Sequence, residues 1–151
     1  MKIAGAASIG AVAVTATACS DNGTAKTAAE VDQLITQAAR ARADASAASS
    51  AIALAPERVS ALTTISAERK AHADALDAEI ARAAGTTPSA TTAPSSSTVA
   101  PPPTGVDALR TTLTESARSA GDLARTVSGY RAGLLGSVSA SCATQVAVLL
   151  P

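Results

Sequence analysis

Apolar residues in the first half of the chain recur every three or four positions, which is the spacing of one face of an α-helix. The larger members of two such stripes are Val31, Leu34, Ile35, Ile52, Val59, Leu62, Ile65, Leu76 and Ile80. Pro56 interrupts the pattern and fits the first position of a new helix. We therefore predict helices over residues 28–54 and 57–84, which form an antiparallel hairpin because the turn between them is very short. Three charged residues fall on other sides of the first helix: Asp32, Arg40 and Asp44.

A second pair of helices is predicted after residue 105. Residues 106–128 are clearly amphipathic, and one face carries Val106, Leu109, Leu113, Ala117, Ala120, Ala124 and Val127. A break near Gly129 separates this helix from a fourth one over residues 130–149. Beyond Arg131 the fourth helix has no charge and is apolar most of the way round, which predicts a buried core helix. A membrane insertion is the disfavoured alternative, because the run is short and contains Ser and Gly.

The segment between the two hairpins, residues 85–105, consists mostly of Thr, Ser, Pro and Ala and includes three consecutive prolines. This composition predicts a disordered or polyproline-like linker. A plain connector is favoured over a glycosylated stalk or an interaction segment. The predicted fold is all-α: an antiparallel four-helix bundle built from residues 28–84 and 106–151.

Composition and charge exclude several kinds of function. The 12 acidic and 12 basic side chains balance, so no net field attracts nucleic acid or an anionic membrane surface. Tyr130 is the only aromatic residue, which leaves little for the stacking of bases or sugars. Alanine is abundant and buries little area, so the core must rely on close approach of the helices.

The first 18 residues have the order of a secretory signal: a basic start at Lys2, a short uncharged run and small residues. The run is too short for a permanent membrane span, which needs about 20 apolar residues. Residues 16–19, Ala-Thr-Ala-Cys, resemble the bacterial lipobox, although Ala16 stands where that motif prefers Leu.

The lipobox resemblance implies a signal peptide over residues 1–18 and acyl chains on Cys19, followed by a short polar tether over residues 19–27. Two or more acyl chains would hold the chain stably on the outer face of the cell membrane. Ordinary secretion, with Cys19 left as a thiol, is the alternative. If Cys19 is acylated, Cys142 has no partner within the chain and is expected to be a buried small hydrophobe.

Two further stretches carry a family resemblance: residues 66–73 (SAERKAHA) and residues 129–142 (GYRAGLLGSVSASC). With the lipobox and the Ser/Thr/Pro linker, they resemble a family of alanine-rich actinobacterial lipoproteins of the mycobacterial type. That family has a ferritin-like helical bundle and no assigned function. The resemblance implies the bundle and the membrane anchor, and it implies no catalytic residues.

Candidate chemistry is sparse. Bundles that hold two irons use a Glu from each of two helices and a Glu-x-x-His from each of the other two. This chain has one histidine, His72, with Glu68 four positions before it. We therefore predict no metal site, no cofactor and no catalytic residue. Hydrolytic triads and phosphate-binding loops lack their sequence patterns as well.

Two arginines are less easily explained, because Arg69 and Arg131 fall on apolar faces of their helices. A buried guanidinium needs a partner, since its burial otherwise costs several kcal/mol. Three alternatives remain open: the arginines extend to solvent at the bundle ends, they pair with internal acids, or they line a pocket. Such a pocket would contain Arg69, His72, Arg131 and Gln145 and would suit a small anionic ligand.

The leading functional hypothesis is a non-enzymatic, lipid-anchored helical module of the cell envelope that acts by binding or by structure. Its expected partners are the membrane, through the lipid, and an envelope protein or small anionic ligand, with no nucleic acid. The alternative is a ferritin-like metal-binding protein or metal-dependent enzyme. A solute-binding protein is disfavoured, because such proteins usually need two lobes and a longer chain.

Overall fold

The computed structural model describes residues 20–85 and 104–151, with side chains from Thr27 onward. Its regular elements are all helical: α1 (Ser20–Ala51), a 3-10 turn (Pro56–Arg58), α2 (Val59–Ala83), α3 (Val106–Ala124), α4 (Gly129–Thr144) and a π-helical turn (Gln145–Leu149) that continues α4. The described chain is therefore all-α, as predicted. The proposed leader, Cys19 and residues 86–103 of the linker lie outside the described residues.

The helix boundaries lie within four residues of the predicted ones except at the start of α1, and the largest other difference is the end of α3 at Ala124, where residue 128 was predicted. Pro56 does open a new helical segment, at the first position of the 3-10 turn. Residues 20–27 were expected to be a polar tether, but α1 already begins at Ser20. Once the packed part of a helix has formed, each added residue brings one more hydrogen bond at little cost, so the helix extends beyond its packed part. With 32 residues, α1 is about 48 Å long.

The helices pack in pairs into a bundle-like body. α1 lies along α2 and α3 lies along α4, and the two pairs meet more closely between α1 and α3 than between α2 and α4. α1 and α2 run in opposite directions, since Arg42 is bound to Asp77 while Ser49 is bound to Ser66. The core consists mainly of leucine and small residues, as the alanine-rich stripes predicted: Leu34, Ala38, Ala48, Ala51, Leu62, Ile65, Leu76, Leu109, Leu113, Ala120, Leu135, Val138, Cys142 and Leu150.

The expectation that the fourth helix is buried all round was wrong. Only one stripe of α4 and its π-helical extension is buried: Leu135, Val138, Cys142 and Gln145. Its outer face carries small residues such as Gly133, Ser137, Ala140 and Thr144, which are exposed at little cost because they offer little apolar area. By length and composition alone, Gly129–Leu149 is the one described helical stretch that could cross a membrane, with a mean hydropathy of 1.5. The run is therefore long enough to span a membrane, contrary to the prediction from the sequence, although its buried stripe packs on α3.

Two glycines mark helix boundaries where the backbone enters the left-handed region. Gly85 has φ +69° directly after α2, and Gly129 has φ +62° at the first residue of α4. Glycine adopts this conformation without the steric penalty that a Cβ atom brings. The sequence had placed breaks at both positions, and both predictions are confirmed.

We expect Gly129→Ala to lower the free energy of unfolding by about 1 kcal/mol, because alanine is strained at positive φ. Urea denaturation followed by circular dichroism measures the change. The matched control is Gly133→Ala in the same helix, where φ is ordinary and no atom lies within 4 Å of the added Cβ. This second substitution should raise the stability by about 0.5–1 kcal/mol. Equal effects of the two substitutions would contradict the role assigned to Gly129.

Candidate functional site

A buried polar layer crosses the middle of the body, and each helix contributes one side chain to it. Asp44 comes from α1, Arg69 from α2, Ser116 from α3 and Cys142 from α4, and all four are buried. We call these four residues the central polar layer. In a core of leucine and alanine, such groups are stable only if they bind one another.

The carboxylate of Asp44 is the centre of this layer. Its Oδ2 atom accepts a hydrogen bond from Arg69 Nη2 at 2.9 Å and another from Ser116 Oγ at 2.7 Å. On the other side of the guanidinium, Arg69 Nη1 donates to Cys142 Sγ at 3.1 Å. The charge of Arg69 is thus neutralised within the chain, and the four helices are connected through adjacent hydrogen bonds.

His72 lies at the edge of the layer, with its Nδ1 atom 3.3 Å from Arg69 Nη1. Burial lowers the pKa of His72, and the neighbouring positive charge of Arg69 lowers it further, while Glu68 acts in the opposite direction. The imidazole is therefore neutral at pH 7, and its Nδ1 can accept a hydrogen bond from Arg69 when the ring proton is on Nε2.

The thiol of Cys142 is also held in its neutral form. Burial is the main cause that raises the pKa of Cys142, although the charge of Arg69 opposes it. Since the thiolate is the reactive species, a buried thiol with a raised pKa is a poor nucleophile. The expectation that Cys142 is buried is confirmed.

A second ionic cluster lies near the start of α4 and is centred on Arg131. Its Nε atom donates to Glu79 Oε1 at 2.7 Å, and its Nη1 atom donates to Glu30 Oε2. Glu79 is buried and also accepts two hydrogen bonds from Arg82, at 2.7 and 2.6 Å. The hydrogen bond from Arg82 is the largest cause that lowers the pKa of Glu79, and the bond from Arg131 adds to it, although burial opposes both. We call these four residues the end cluster.

Gln145 is held on the far side of the central layer from the end cluster. Its Nε2 atom donates to Glu68 Oε2 at 2.6 Å, which connects α2 to the continuation of α4. Within the described part of the chain, two buried atoms have no hydrogen-bond partner: Gln145 Oε1 and Arg69 Nε. Buried polar atoms of this kind are usual positions for internal water molecules.

The four residues of the predicted pocket do not come together. Arg69 and His72 are in contact, and Gln145 is one helical turn from Cys142. Arg131 precedes Cys142 by 11 positions, so it lies about 16 Å away along the helix axis and binds different acids. Of the three alternatives for the arginines, the structure shows pairing with internal acids, since Arg69 binds Asp44 and Arg131 binds Glu79 and Glu30.

The expectation that Asp44 lies away from the apolar stripe was wrong, and Ser116 was missed altogether. From Thr27 onward, six of the seven buried positions of α1 alternate by three and four residues, with Ala38 as the seventh; the six are Leu34, Gln37, Ala41, Asp44, Ala48 and Ala51. That alternation corresponds to 3.5 residues per turn, the repeat of closely packed helices, and it includes Asp44. Ser116 lies in the same alternation between Leu113 and Ala120. The repeat was therefore the signal that could have found both residues.

No three His, Cys, Asp or Glu side chains of the described residues lie close enough together to hold a metal ion. Comparisons of the chain with protein-family models, with curated proteins and with solved structures found no match. The function is therefore inferred from the residues and their geometry.

We expect Asp44→Ala to lower the free energy of unfolding by about 3–5 kcal/mol, because it leaves the buried guanidinium of Arg69 without its counter-charge. Urea denaturation measures the loss. The control is Asp77→Ala, which breaks the exposed pair with Arg42 and should cost less than about 1 kcal/mol. The double variant Asp44→Leu, Arg69→Met removes both buried charges and should recover most of the lost stability. A double variant as unstable as Asp44→Ala would show that the ion pair is not the cause.

We expect the free energy of unfolding to decrease as the pH is lowered below about 6.5. The pKa of His72 is lower in the folded protein than in the unfolded chain, so the unfolded chain takes up a proton at a higher pH. The contribution of His72 is complete above its unfolded pKa and is lost as the pH falls through its folded pKa. His72→Gln keeps a hydrogen-bond acceptor near Arg69 but does not titrate, so its urea midpoint should change less between about pH 7 and pH 5.5. The same pH dependence in both proteins would contradict this assignment.

Proposed function

We propose that this chain is a lipid-anchored, non-enzymatic helical module of the cell envelope. Acyl chains on Cys19 would hold it on the outer face of the cell membrane after removal of residues 1–18. The proposal for the anchor is supported by the order of the leader and by the lipobox-like residues 16–19. The proposal for a non-enzymatic role is supported by the geometry of the internal polar groups.

The observation that carries the non-enzymatic role is the mutual binding of these groups. The charge of Arg69 is bound to Asp44, and that of Arg131 is bound to Glu30 and Glu79. Cys142 is kept as a thiol. Catalysis needs a nucleophile, acid or base that faces a substrate, whereas these groups face one another. Their arrangement stabilises a body and leaves binding to its outer surfaces.

We further propose that the body is an antiparallel four-helix bundle of the ferritin-like type. This arrangement is supported by the opposite directions of α1 and α2 and by contacts of α3 with α4 and of α1 with α3. A membrane-held bundle of this kind would bind an envelope protein more readily than a small anion. An anion would have to displace Asp44 from Arg69, or Glu30 and Glu79 from Arg131.

The deciding experiment is mass spectrometry of the mature N-terminus of the protein produced in an actinobacterial host. We expect cleavage before Cys19 and the added mass of two or three acyl chains, together with partition into the detergent phase of a detergent extraction. Cys19→Ala is the matched control and should lose the cleavage before residue 19 and the added acyl mass. A protein that keeps its leader, or is cleaved elsewhere and remains in the aqueous phase, would overturn the proposal. Near-stoichiometric iron or manganese that is lost in His72→Ala would favour a metal protein instead.

A further inference from the structure

The start of α1 has a consequence for how the body stands on the membrane. α1 is helical from Ser20, which directly follows Cys19. A continuous helix is a stiff connection, unlike the short polar tether that the sequence predicted. If Cys19 carries the lipid anchor, as proposed above, the anchor then lies at a fixed distance from one end of the body.

The contacts of Glu30 identify that end. Glu30 of α1 binds Arg131, which is the third residue of α4, and Arg131 also binds Glu79 near the end of α2. Glu30 is 11 residues after Cys19, so this end is about 16 Å from the anchor along α1. Val148 follows Tyr130 by 18 positions along α4 and its extension, which places it about 27 Å further away.

The end near the anchor displays side chains that suit a membrane surface. Tyr130, the only aromatic residue of the chain, is 65% exposed there. Arg82 and Arg125 have side chains that are 62% and 78% exposed. Arg82 and Arg131 both bind Glu79. Tyr130 directly precedes Arg131 in α4, so it lies at the same end of the body as Arg82.

The chemistry of these three side chains matches that of phospholipid headgroups. Tyrosine concentrates at membrane interfaces, because its ring is apolar and its hydroxyl forms hydrogen bonds. A guanidinium has five N–H donors and binds phosphate oxygens readily. Arg82 gives two of its donors to Glu79, and its remaining donors can bind a phosphate without breaking that pair. Arg125 is bound to Asp122 at 2.6 Å, but an exposed pair of this kind contributes little and can exchange its partner.

We propose that the end surface formed by Arg82, Arg125 and Tyr130 contacts the headgroups of the membrane that holds Cys19. The start of α4 then lies nearer to the bilayer than Val148 does. The headgroup layer is roughly 5–8 Å thick, so an upright α1 would hold this end above it. The contact therefore requires α1 to tilt, and binding of the tyrosine and the two arginines to the interface favours that tilt.

The chain itself supplies the probe for this proposal, because it contains no tryptophan and its only tyrosine is Tyr130. Tyrosine fluorescence of the full-length lipidated protein is measured on vesicles of phosphatidylcholine and phosphatidylglycerol. We expect quenching by aqueous acrylamide to fall at least about two-fold relative to the chain produced without residues 1–18, which is not acylated, because the ring enters the interface. Nitroxide-labelled headgroups should quench the same emission.

The matched control moves the fluorophore to the other end of the body. The double variant Tyr130→Phe, Val148→Tyr places the only tyrosine at a position that is also 65% exposed. On the same vesicles its quenching by acrylamide should not change, and nitroxide-labelled headgroups should not reach it. Protection that is absent at Tyr130, or equal at both positions, overturns the proposed orientation. A protein that does not bind the vesicles at all refutes the lipid anchor, and the orientation that rests on it.

Discussion

The buried ion pair between Asp44 and Arg69 is the interaction on which the packing of this body depends. The buried stripes of the four helices consist mostly of aliphatic side chains, which could fit one another in more than one register because apolar contacts are not directional. A buried charge permits no such freedom, since a guanidinium without its carboxylate would be strongly destabilising. Ser116 and Cys142 bind the same pair, so each of the four helices contributes one residue that must lie at the level of this layer. We infer that the central polar layer sets the register of the helices.

The end cluster repeats this constraint about 16 Å away, since Arg131 connects α1, α2 and α4 through Glu30 and Glu79. Two such points define the alignment of a helix better than one, because a rotation that satisfied the central layer would separate Arg131 from its acids. The two clusters differ in their contact with solvent. Asp44 and Arg69 are buried together, whereas Arg82 on the outside of the end cluster is exposed. We therefore infer that the pair of Asp44 and Arg69 contributes mainly to the specificity of helix packing. The end cluster extends from the interior to the surface of the body through Arg82.

The sequence predicted the helices, the start at Pro56 and the two glycine boundaries, because each has a local cause in backbone geometry. It did not predict that Asp44 and Ser116 are buried, since alanine is compatible with either side of a helix and leaves the direction of the stripe poorly defined. It also placed the start of α1 eight residues too late, because residues 20–27 contain no apolar stripe. Residues 20–27 are helical because they extend the packed part of α1, and no sequence pattern within them predicts it.

The same pairs that align the helices also remove their groups from chemistry. Arg69 cannot attract an anion while Asp44 is bound to it, and Cys142 cannot act as a nucleophile while burial keeps its thiol protonated. The binding proposed above would therefore take place on the surface of the body, and this surface is not uniform. α1, α2 and α3 carry charges on their outer sides, whereas the outer side of α4 carries small uncharged residues between Tyr130 and Val148. With the proposed acyl anchor on Cys19, a stiff α1 would determine which of these surfaces faces the membrane. The position of the proposed anchor is therefore a physical constraint on orientation.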